Sequence, residues 1–390
     1  MNILFVSALL PYPLHSGGQV RIYNLLKALS KKHDITLMSF IRNDDERTLA
    51  SHMPFVKDIH MIMRGKGRQA KYFLKTLGNF PLLLATYDNK VMQKKIKEEL
   101  ARKHYDLVHI EPFYVFPSLP PLTIPLVVSE HNVEYDIYQK NAEKMRFPLL
   151  RPLAYFDAIK VKIWEEIVWQ RAYTVTAVSE DDATIISLAT KKETPVIPNG
   201  VDTKTFSYVG KKFDKKHPTF LFVGNFLWAP NTEAVRELLE TIWLKMLLVY
   251  PSATLTIVGK HFPSSLRKYI LPSVHLEERV EDIRDAFAAS DVLLAPMGIG
   301  GGTKFKILEA MATGTAVVTT KAGRMGIVGT SGKELYEAEN PDDFIRAVKY
   351  IYDHPATSKT MTKHARELVE TLYDWQAIAE KLDAVWRRAI

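Results

Sequence analysis

The sequence predicts an α/β protein built from two doubly wound parallel sheets. Three observations lead there. Short apolar runs recur along the chain (NILFVSA at 2–8, TFLFVG at 219–224, ATLTIVG at 253–259 and DVLLAP at 291–296), and each runs into a turn that opens the next element. Unbroken apolar runs of this length fit strands buried on both faces, which is the condition of a parallel sheet. The 390 residues are enough for two separate cores, and a charged, irregular stretch at 204–216 divides them near the middle.

The first run enters a strand at once, and no basic n-region or cleavage site precedes it, so no signal peptide is expected. Pro11, Pro13 and Ser16-Gly17-Gly18 form a turn, and Gln19 to Ser30 follows as a helix with Val20, Leu25, Leu26 and Leu29 apolar. Asp34 to Phe40 returns as the second strand, closing one βαβ unit with a Gly-Gly loop at the carboxyl end of its first strand. Lys57 to His104 carries 12 basic and 4 acidic residues, together with Tyr72, Phe73, Leu74 and Phe80. Basic residues interleaved with exposed aromatics suit an anionic membrane surface, whereas Lys90 to Lys103 equally fits a solvated helix with Val91, Ile96 and Leu100 inward.

Two strands then end in polar clusters. Asp106 to Ile110 runs into His109 and Glu111, and Pro125 to Ser129 runs into Glu130, His131 and Asn132. A strand-end histidine is often a hydrogen-bonded structural residue. Two of them at one carboxyl edge favour a functional role. Arg151 to Arg171 reads as a long amphipathic helix with Tyr155, Phe156, Trp164 and Trp169. Tyr173 to Ser179 is a strand, and Ser179 caps the helix that Glu180-Asp181-Asp182 begins. PNGVD at 198–202 is a turn.

In the second half, the strand at 219–224 ends in Gly224-Asn225, with a helix from Asn231 to Leu248 behind it. Val274 to Leu276 is a short strand and Glu281 to Ser290 a helix. After DVLLAP the chain reads GIGGGTKFKILEAMATGTAVVTT, placing Gly300-Gly301-Gly302, Thr303, Lys304 and Lys306 ahead of a helix with one acid, Glu309. Gly314 ends that helix in the left-handed position that costs glycine no Cβ clash. Open backbone N–H groups and a helix N-terminus at a strand's carboxyl end attract phosphate, and two lysines reinforce the attraction. No GxxxxGK[ST] occurs, and Thr303 stands where a GxGxxG would need its last glycine. The helix at 342–352 is capped by Asn340, another covers 356–372, and a final one runs to Ile390.

The totals exclude several chemistries. Without cysteine there are no disulfides, thiolate metal sites or cysteine nucleophiles. The histidines lack clustered ligand spacing, so no metal site is expected. The net charge of +8 splits as +6 over 1–204 and +2 over the remainder. No apolar run reaches 18 residues, and a cytoplasmic protein, peripheral at the inner face of the membrane, is expected.

GGGTKFKILEAMATGTAVV resembles the donor-site signature of the retaining GT-B glycosyltransferases of family 4. The resemblance implies two Rossmann-like domains facing each other across a cleft. The acceptor-binding domain would span 1–204, the donor-binding domain 205–372, and a helix at 373–390 would cross back to the first. Glu309 matches the family's second glutamate, which binds the donor ribose. The first would fall at 301, where this chain has Gly301. The family's basic pair after the first strand of the donor domain is replaced by Asn225-Phe226-Leu227-Trp228, which leaves Lys304 and Lys306 to hold the diphosphate.

By the same resemblance, Gly17, Gly18, Gly224, Asn225, Gly300, Gly301, Gly302, Thr303, Lys304, Lys306 and Glu309 form the donor site. His109, Glu111, His131 and Asn132 lie on the acceptor side, with His109 nearest the transferred sugar. The catalytic set is His109, Lys304 and Glu309. The function implied is transfer of a sugar from a nucleotide-diphosphate-sugar to a glycan or lipid-linked acceptor, in envelope or exopolysaccharide synthesis. No cofactor, metal or nucleic acid is required. A non-catalytic nucleotide-sugar-binding protein, or another GT-B enzyme such as an epimerase, remains open.

Overall fold

A computed structural model describes residues 1–65, 75–76, 78–143, 145, 147–298 and 302–390. Its chain forms two compact units, Met1–Pro198 with Ile378–Ile390, and Asn199–Ala377. The division falls just before the Asn199-Gly200 turn, six residues ahead of Lys204.

In the first unit the elements are β1 (Asn2–Ser7), α1 (Gly17–Leu29), β2 (Asp34–Ile41), β3 (Asp58–Met63), α2 (Lys90–Arg102), β4 (Leu107–Glu111), β5 (Leu126–Ser129), α3 (Glu134–Glu143), α4 (Arg151–Arg171), β6 (Thr174–Thr176) and α5 (Glu180–Thr190). The strands pair in the order β3-β2-β1-β4-β5-β6, all parallel. β3 and α3 have no expected counterpart: β3 is a half-exposed edge strand whose apolar signal is diluted by Asp58 and His60. Beyond β6, Ala177 makes an isolated parallel bridge to Val196.

α2 turns Ile96 and Leu100 inward as expected, and only Val91 departs from the expected face. Met92 and Ile96 are buried, whereas Val91 is exposed, because the cap at Asn89 sets the helix phase. Phe80 packs edge-on against Trp164 and Leu84 is fully buried, so these apolar residues of the basic stretch face inward. Tyr72, Phe73 and Leu74 lie outside the described residues.

The second unit comprises β7 (Thr219–Val223), α6 (Ala229–Glu237), α7 (Trp243–Val249), β8 (Thr254–Val258), β9 (Val274–Glu277), α8 (Ile283–Ala289), β10 (Val292–Ala295), α9 (Phe305–Thr313), β11 (Ala316–Thr319), β12 (Tyr336–Glu337), α10 (Pro341–Asp353) and α11 (Pro355–Leu372). A π-helical turn, Leu238–Ile242, joins α6 to α7, so the expected single helix is continuous but locally widened. This sheet is also parallel throughout, in the order β12-β11-β10-β7-β8-β9. The last helix, α12 (Trp375–Ala389), begins in this unit, and its residues from Ile378 belong to the first.

Each sheet therefore has one place where adjacent strands send their connections in opposite directions. In the first it lies between β1 and β4, in the second between β7 and β10. Loops diverge there and leave a crevice at the strands' carboxyl ends. Both cores are aliphatic and aromatic, with Leu4, Val6, Val108 and Val128 central in one and Leu221, Phe222, Leu293 and Val317 in the other.

α9 ends at Gly314, whose φ of 80° is left-handed, and a Cβ there would lie 2.7 Å from the Tyr208 ring and 2.8 Å from the Val209 carbonyl oxygen. Gly314→Ala is expected to cost about 1–3 kcal/mol, combining dihedral strain with that clash, and urea unfolding measures it.

Candidate functional site

At the switch point of the first sheet, the period of two along β4 sends His109 and Glu111 to the same face. Glu111 is fully buried and accepts three hydrogen bonds. Arg21 Nε of α1 and His131 Nε2 each reach Oε1 at 2.6 Å, and His109 Nε2 reaches Oε2 at 3.4 Å. Burial alone would raise this carboxyl, but Arg21 and the two histidines overcome it and hold the group well below the usual carboxylate range. Arg21 is held in turn by the carbonyls of Ile197 and Pro198, each 2.8 Å from Nη1.

The two histidines differ in access. His109 lies in mid-strand with no exposure, stacked on Phe5 at 4.5 Å. Trp386 of α12 donates its indole N–H to His109 Nδ1 at 3.0 Å, which puts the ring proton on Nε2, facing Glu111. Desolvation lowers the pKa of this imidazole, against the pull of Glu111. The expectation that His109 meets the transferred sugar is corrected on geometry, since both nitrogens are engaged inside the fold. His131 is the accessible one. Its side chain is 18% exposed, and its ring packs on the Gly17-Gly18 turn, where a Cβ on Gly18 would lie 3.2 Å from Cε1 and 3.4 Å from Nδ1. The Glu111 bond places the proton on Nε2 and leaves Nδ1 as an acceptor beside the turn. Asn132 is half-buried next to it.

Glu130, in the same polar run, turns away. It is buried with the Trp169 indole N–H on Oε1 at 2.8 Å, and desolvation pushes its carboxyl up to about 8 despite that donor. Gly17 and Gly18 start α1 behind the Ser16 cap, with no acid in the first turn.

The second unit brings its expected residues to the β7/β10 switch point. Gly224-Asn225 follows β7, and a Cβ on Gly224 would sit 2.8 Å from Asn231 Cγ. Asn231, on α6, donates from Nδ2 to the Asn225 carbonyl at 2.9 Å and accepts from Lys306 Nζ at 2.7 Å. It thereby ties the turn after β7 to the helix after β10. Its side-chain role is not apparent from the sequence, because its partner lies 75 positions away. Lys306 is buried over the Phe222 ring at 4.6 Å. Desolvation, with Lys304 nearby, lowers its amine to about 7, while Glu309 opposes the shift.

Lys304 is buried at the cap of α9 and donates to the Gly302 carbonyl at 2.7 Å. Thr303 is buried beside it, and Gly302 has a φ of 66°. Gly300 and Gly301 lie outside the described residues. Glu309 is half-buried one turn after Lys306, and desolvation lifts it to about 7 against that lysine. Two lysines at a helix N-terminus with no acid in its first turn concentrate positive potential, an arrangement that an arriving anion relieves.

Arg21→Met leaves Glu111 buried without its cation and is expected to destabilise the protein by about 3–5 kcal/mol in urea unfolding. Because the Glu111 pKa is depressed on folding, its contribution is present above the unfolded carboxylate pKa and is lost as pH falls through the lower folded value. Stability measured from pH 6 downward should therefore fall less steeply in Glu111→Gln than in the parent, although the variant starts lower.

Comparison with known proteins places both units. Residues 15–205 match Glycosyltransferase Family 4, and residues 217–354 match Glycosyl transferases group 1. The MMP alpha-(1->4)-mannosyltransferase of Mycolicibacterium hassiacum is 23% identical over 292 residues, covering 70% of this chain and 67% of that protein. Sucrose-phosphate synthase from Thermosynechococcus elongatus superposes with a TM-score of 0.73 at 18% identity, covering 100% and 99% of the two chains. HepE of Anabaena, solved with UDP and glucose, superposes with a TM-score of 0.67 at 16% identity over the whole of both chains. Two parallel six-stranded sheets, each with its switch point, together with these matches make the chain a GT-B glycosyltransferase of the group 1 and family 4 type.

Proposed function

We propose that the protein is a retaining transferase that moves a sugar from a nucleotide-diphosphate-sugar to a glycan or lipid-linked acceptor of the cell envelope, without a metal. The observation that carries the donor half is the Gly224–Asn231–Lys306 assembly at the β7/β10 switch point, with Lys304 at the head of α9. A diphosphate seated there meets an open turn, a helix N-terminus and two ammonium groups held within the fold. Glu309 accepts from the ribose hydroxyls when ionised. The UDP and glucose in the Anabaena structure support a uridine donor.

In this reading the bond from the anomeric carbon to the phosphate oxygen breaks as the acceptor oxygen bonds to that carbon. The acceptor's proton passes to the departing phosphate oxygen. Lys304 and Lys306 stabilise the charge that develops on the diphosphate, and fixed donors are effective because they need no reorganisation. In the first unit, His131 Nδ1 accepts from a hydroxyl of the acceptor, and Glu111 sets the tautomer that allows it.

Calorimetry against UDP, GDP and ADP, with and without EDTA, tests the donor site. One tight nucleotide, unaffected by EDTA, is the expected result; a nucleotide lost with EDTA overturns the metal-free reading, and no binding at all overturns the donor site. Lys304→Ala with Lys306→Ala should weaken that nucleotide about a hundredfold or more, as two charge-assisted contacts are lost.

The pH dependence of the affinity should be bell-shaped around neutrality. Below about 7 Glu309 takes up a proton and no longer accepts, and above about 7 Lys306 loses its charge. Glu309→Gln should flatten the acid limb and, by removing the acid that raises the Lys306 amine, move the basic limb to lower pH. His131→Ala should lower turnover about a hundredfold while nucleotide affinity stays within about twofold, a split read from initial rates and calorimetry.

A further inference from the structure

The carboxyl edge of the first sheet carries a second polar feature, away from the β1/β4 switch point. The register of β2 and β3 pairs Ile41 with Met63, and the Arg64 N–H continues it by donating to the Ile41 carbonyl at 2.8 Å. Arg42 and Arg64 therefore leave neighbouring strands side by side, at the strand spacing of about 4.8 Å. Both line one hollow of about 260 Å³, together with Leu9, Leu10, Gln19 and Glu46. Leu9 and Leu10 follow β1, Gln19 stands in the first turn of α1, and Glu46 belongs to a short 3-10 helix, Asp44–His52. The Tyr12 ring stacks on His52 at 4.3 Å and ties that short helix to the loop before α1.

Two guanidinium groups on adjacent strands repel each other, and no carboxylate among the described residues pairs with either. Arg64 is half-buried and anchored on a neutral group. Its Nη1 donates to the Tyr87 hydroxyl at 2.9 Å, and its guanidinium lies 5.4 Å from the centre of that ring. Arg42 is exposed, and no hydrogen bond or ion pair engages its side chain among the described residues. The nearby acids are occupied elsewhere. Asp44 pairs with Arg47 at 2.9 Å, and Glu46 Oε2 accepts the Arg42 backbone N–H at 3.0 Å. A guanidinium fork takes a carboxylate or phosphate through parallel N–H bonds. Glu46 keeps Oε1 for a hydroxyl, and half-buried Leu9 offers an apolar wall to the C–H face of a ring. A bare anion would use neither of these. The hollow also borders the acceptor side, since Gln19 follows Gly18, on which the His131 ring packs.

We propose that this hollow is an acceptor subsite for an acidic sugar residue, whose carboxylate or phosphate is held by Arg42 and Arg64 while Glu46 accepts from a hydroxyl of the same ring. The inference rests on the transferase reading for the use of the bound sugar, and it names the class of acceptor as a charged glycan. Arg42 and Arg64 determine specificity here without touching the reacting atoms. A neutral hexose in the same place leaves both guanidinium groups unpaired, which is the basis of the discrimination.

The test is saturation-transfer NMR of the full chain with methyl glucuronide, methyl glucoside, glucose 6-phosphate and inorganic phosphate, with UDP binding measured by calorimetry alongside. An acidic sugar should bind, and whether it is the glucuronide or the sugar phosphate identifies the group selected. Methyl glucoside should bind about tenfold more weakly or worse, and the acidic sugar should weaken as ionic strength rises from about 0.05 to about 0.5 M. Arg42→Gln removes an exposed side chain that the fold does not use, and it should weaken the acidic sugar about tenfold. Adding Arg64→Gln should abolish the preference over methyl glucoside. UDP affinity should match the parent in both variants, which separates loss of the subsite from misfolding. A parent that binds the acidic sugar and no nucleotide would remove the transferase reading and leave the subsite standing. Four results would each overturn the proposal: no acidic sugar bound by the parent, methyl glucoside bound as tightly, inorganic phosphate bound as tightly as the acidic sugar, or an unchanged preference in the double variant.

Discussion

A buried carboxylate with three donors, Glu111, is the constraint on which the first unit's site depends. Arg21, His109 and His131 come from a helix, a strand and a strand-end loop, and they converge on two oxygen atoms. A buried carboxylate left without such partners would be neutral, and the histidine tautomers would then be unspecified. The arrangement reaches further, since Arg21 also holds the carbonyls of Ile197 and Pro198 while Trp386 fixes His109 from the other side. One ion pair thus joins α1, β4, the end of the first unit's main segment and the C-terminal helix.

The second unit solves a different electrostatic problem with the same topology. Its switch point collects cations, where the first collects around an anion, and the compensating groups are few. Among the described residues, Lys306 has only the neutral Asn231 side chain at hydrogen-bond distance, the Met297 sulfur and the face of Phe222. Glu309 is the nearby acid on the same helix. Burial moves both of their pKa values toward neutrality. Buried groups poised in this way respond strongly to a charged ligand, because each changes its protonation for little free energy.

The surface of α4 belongs to neither site. Its core face buries Trp169, which holds Glu130, while the other face carries leucine and isoleucine into solvent. Glu165 on the same helix accepts the backbone N–H groups of Glu134 and Tyr135 at 2.7 and 2.8 Å, anchoring α3. The exposed side chains are therefore carried by a helix fixed at several points and not by a loose segment.

Much of this was legible locally. The apolar runs, the caps at Ser179 and Asn340, and the left-handed end at Gly314 each depend on a few neighbouring residues, and the structure forms them where those residues stand. The β-glycine-α-β order around 291–319 likewise put Lys304, Lys306 and Glu309 at one end of the second sheet before any tertiary contact was known.

What the local sequence did not contain was the direction of side chains and the identity of distant partners. His109 and His131 both stand near strand ends, and only the pleat of β4 and the position of Trp386 bury one while the Gly17-Gly18 turn leaves the other accessible. Asn231 looks like the start of a helix until the sheet brings Lys306 beside it. Phe156 and Trp169 read alike as aromatic residues of one amphipathic helix, yet packing turns Trp169 inward and Phe156 outward. The sequence by itself determined the strands, the helix ends and the chemistry available at each loop, because those are short-range choices. Tertiary structure alone decided which of those groups meet, because pleat, helix phase and strand order are properties of the assembled sheets.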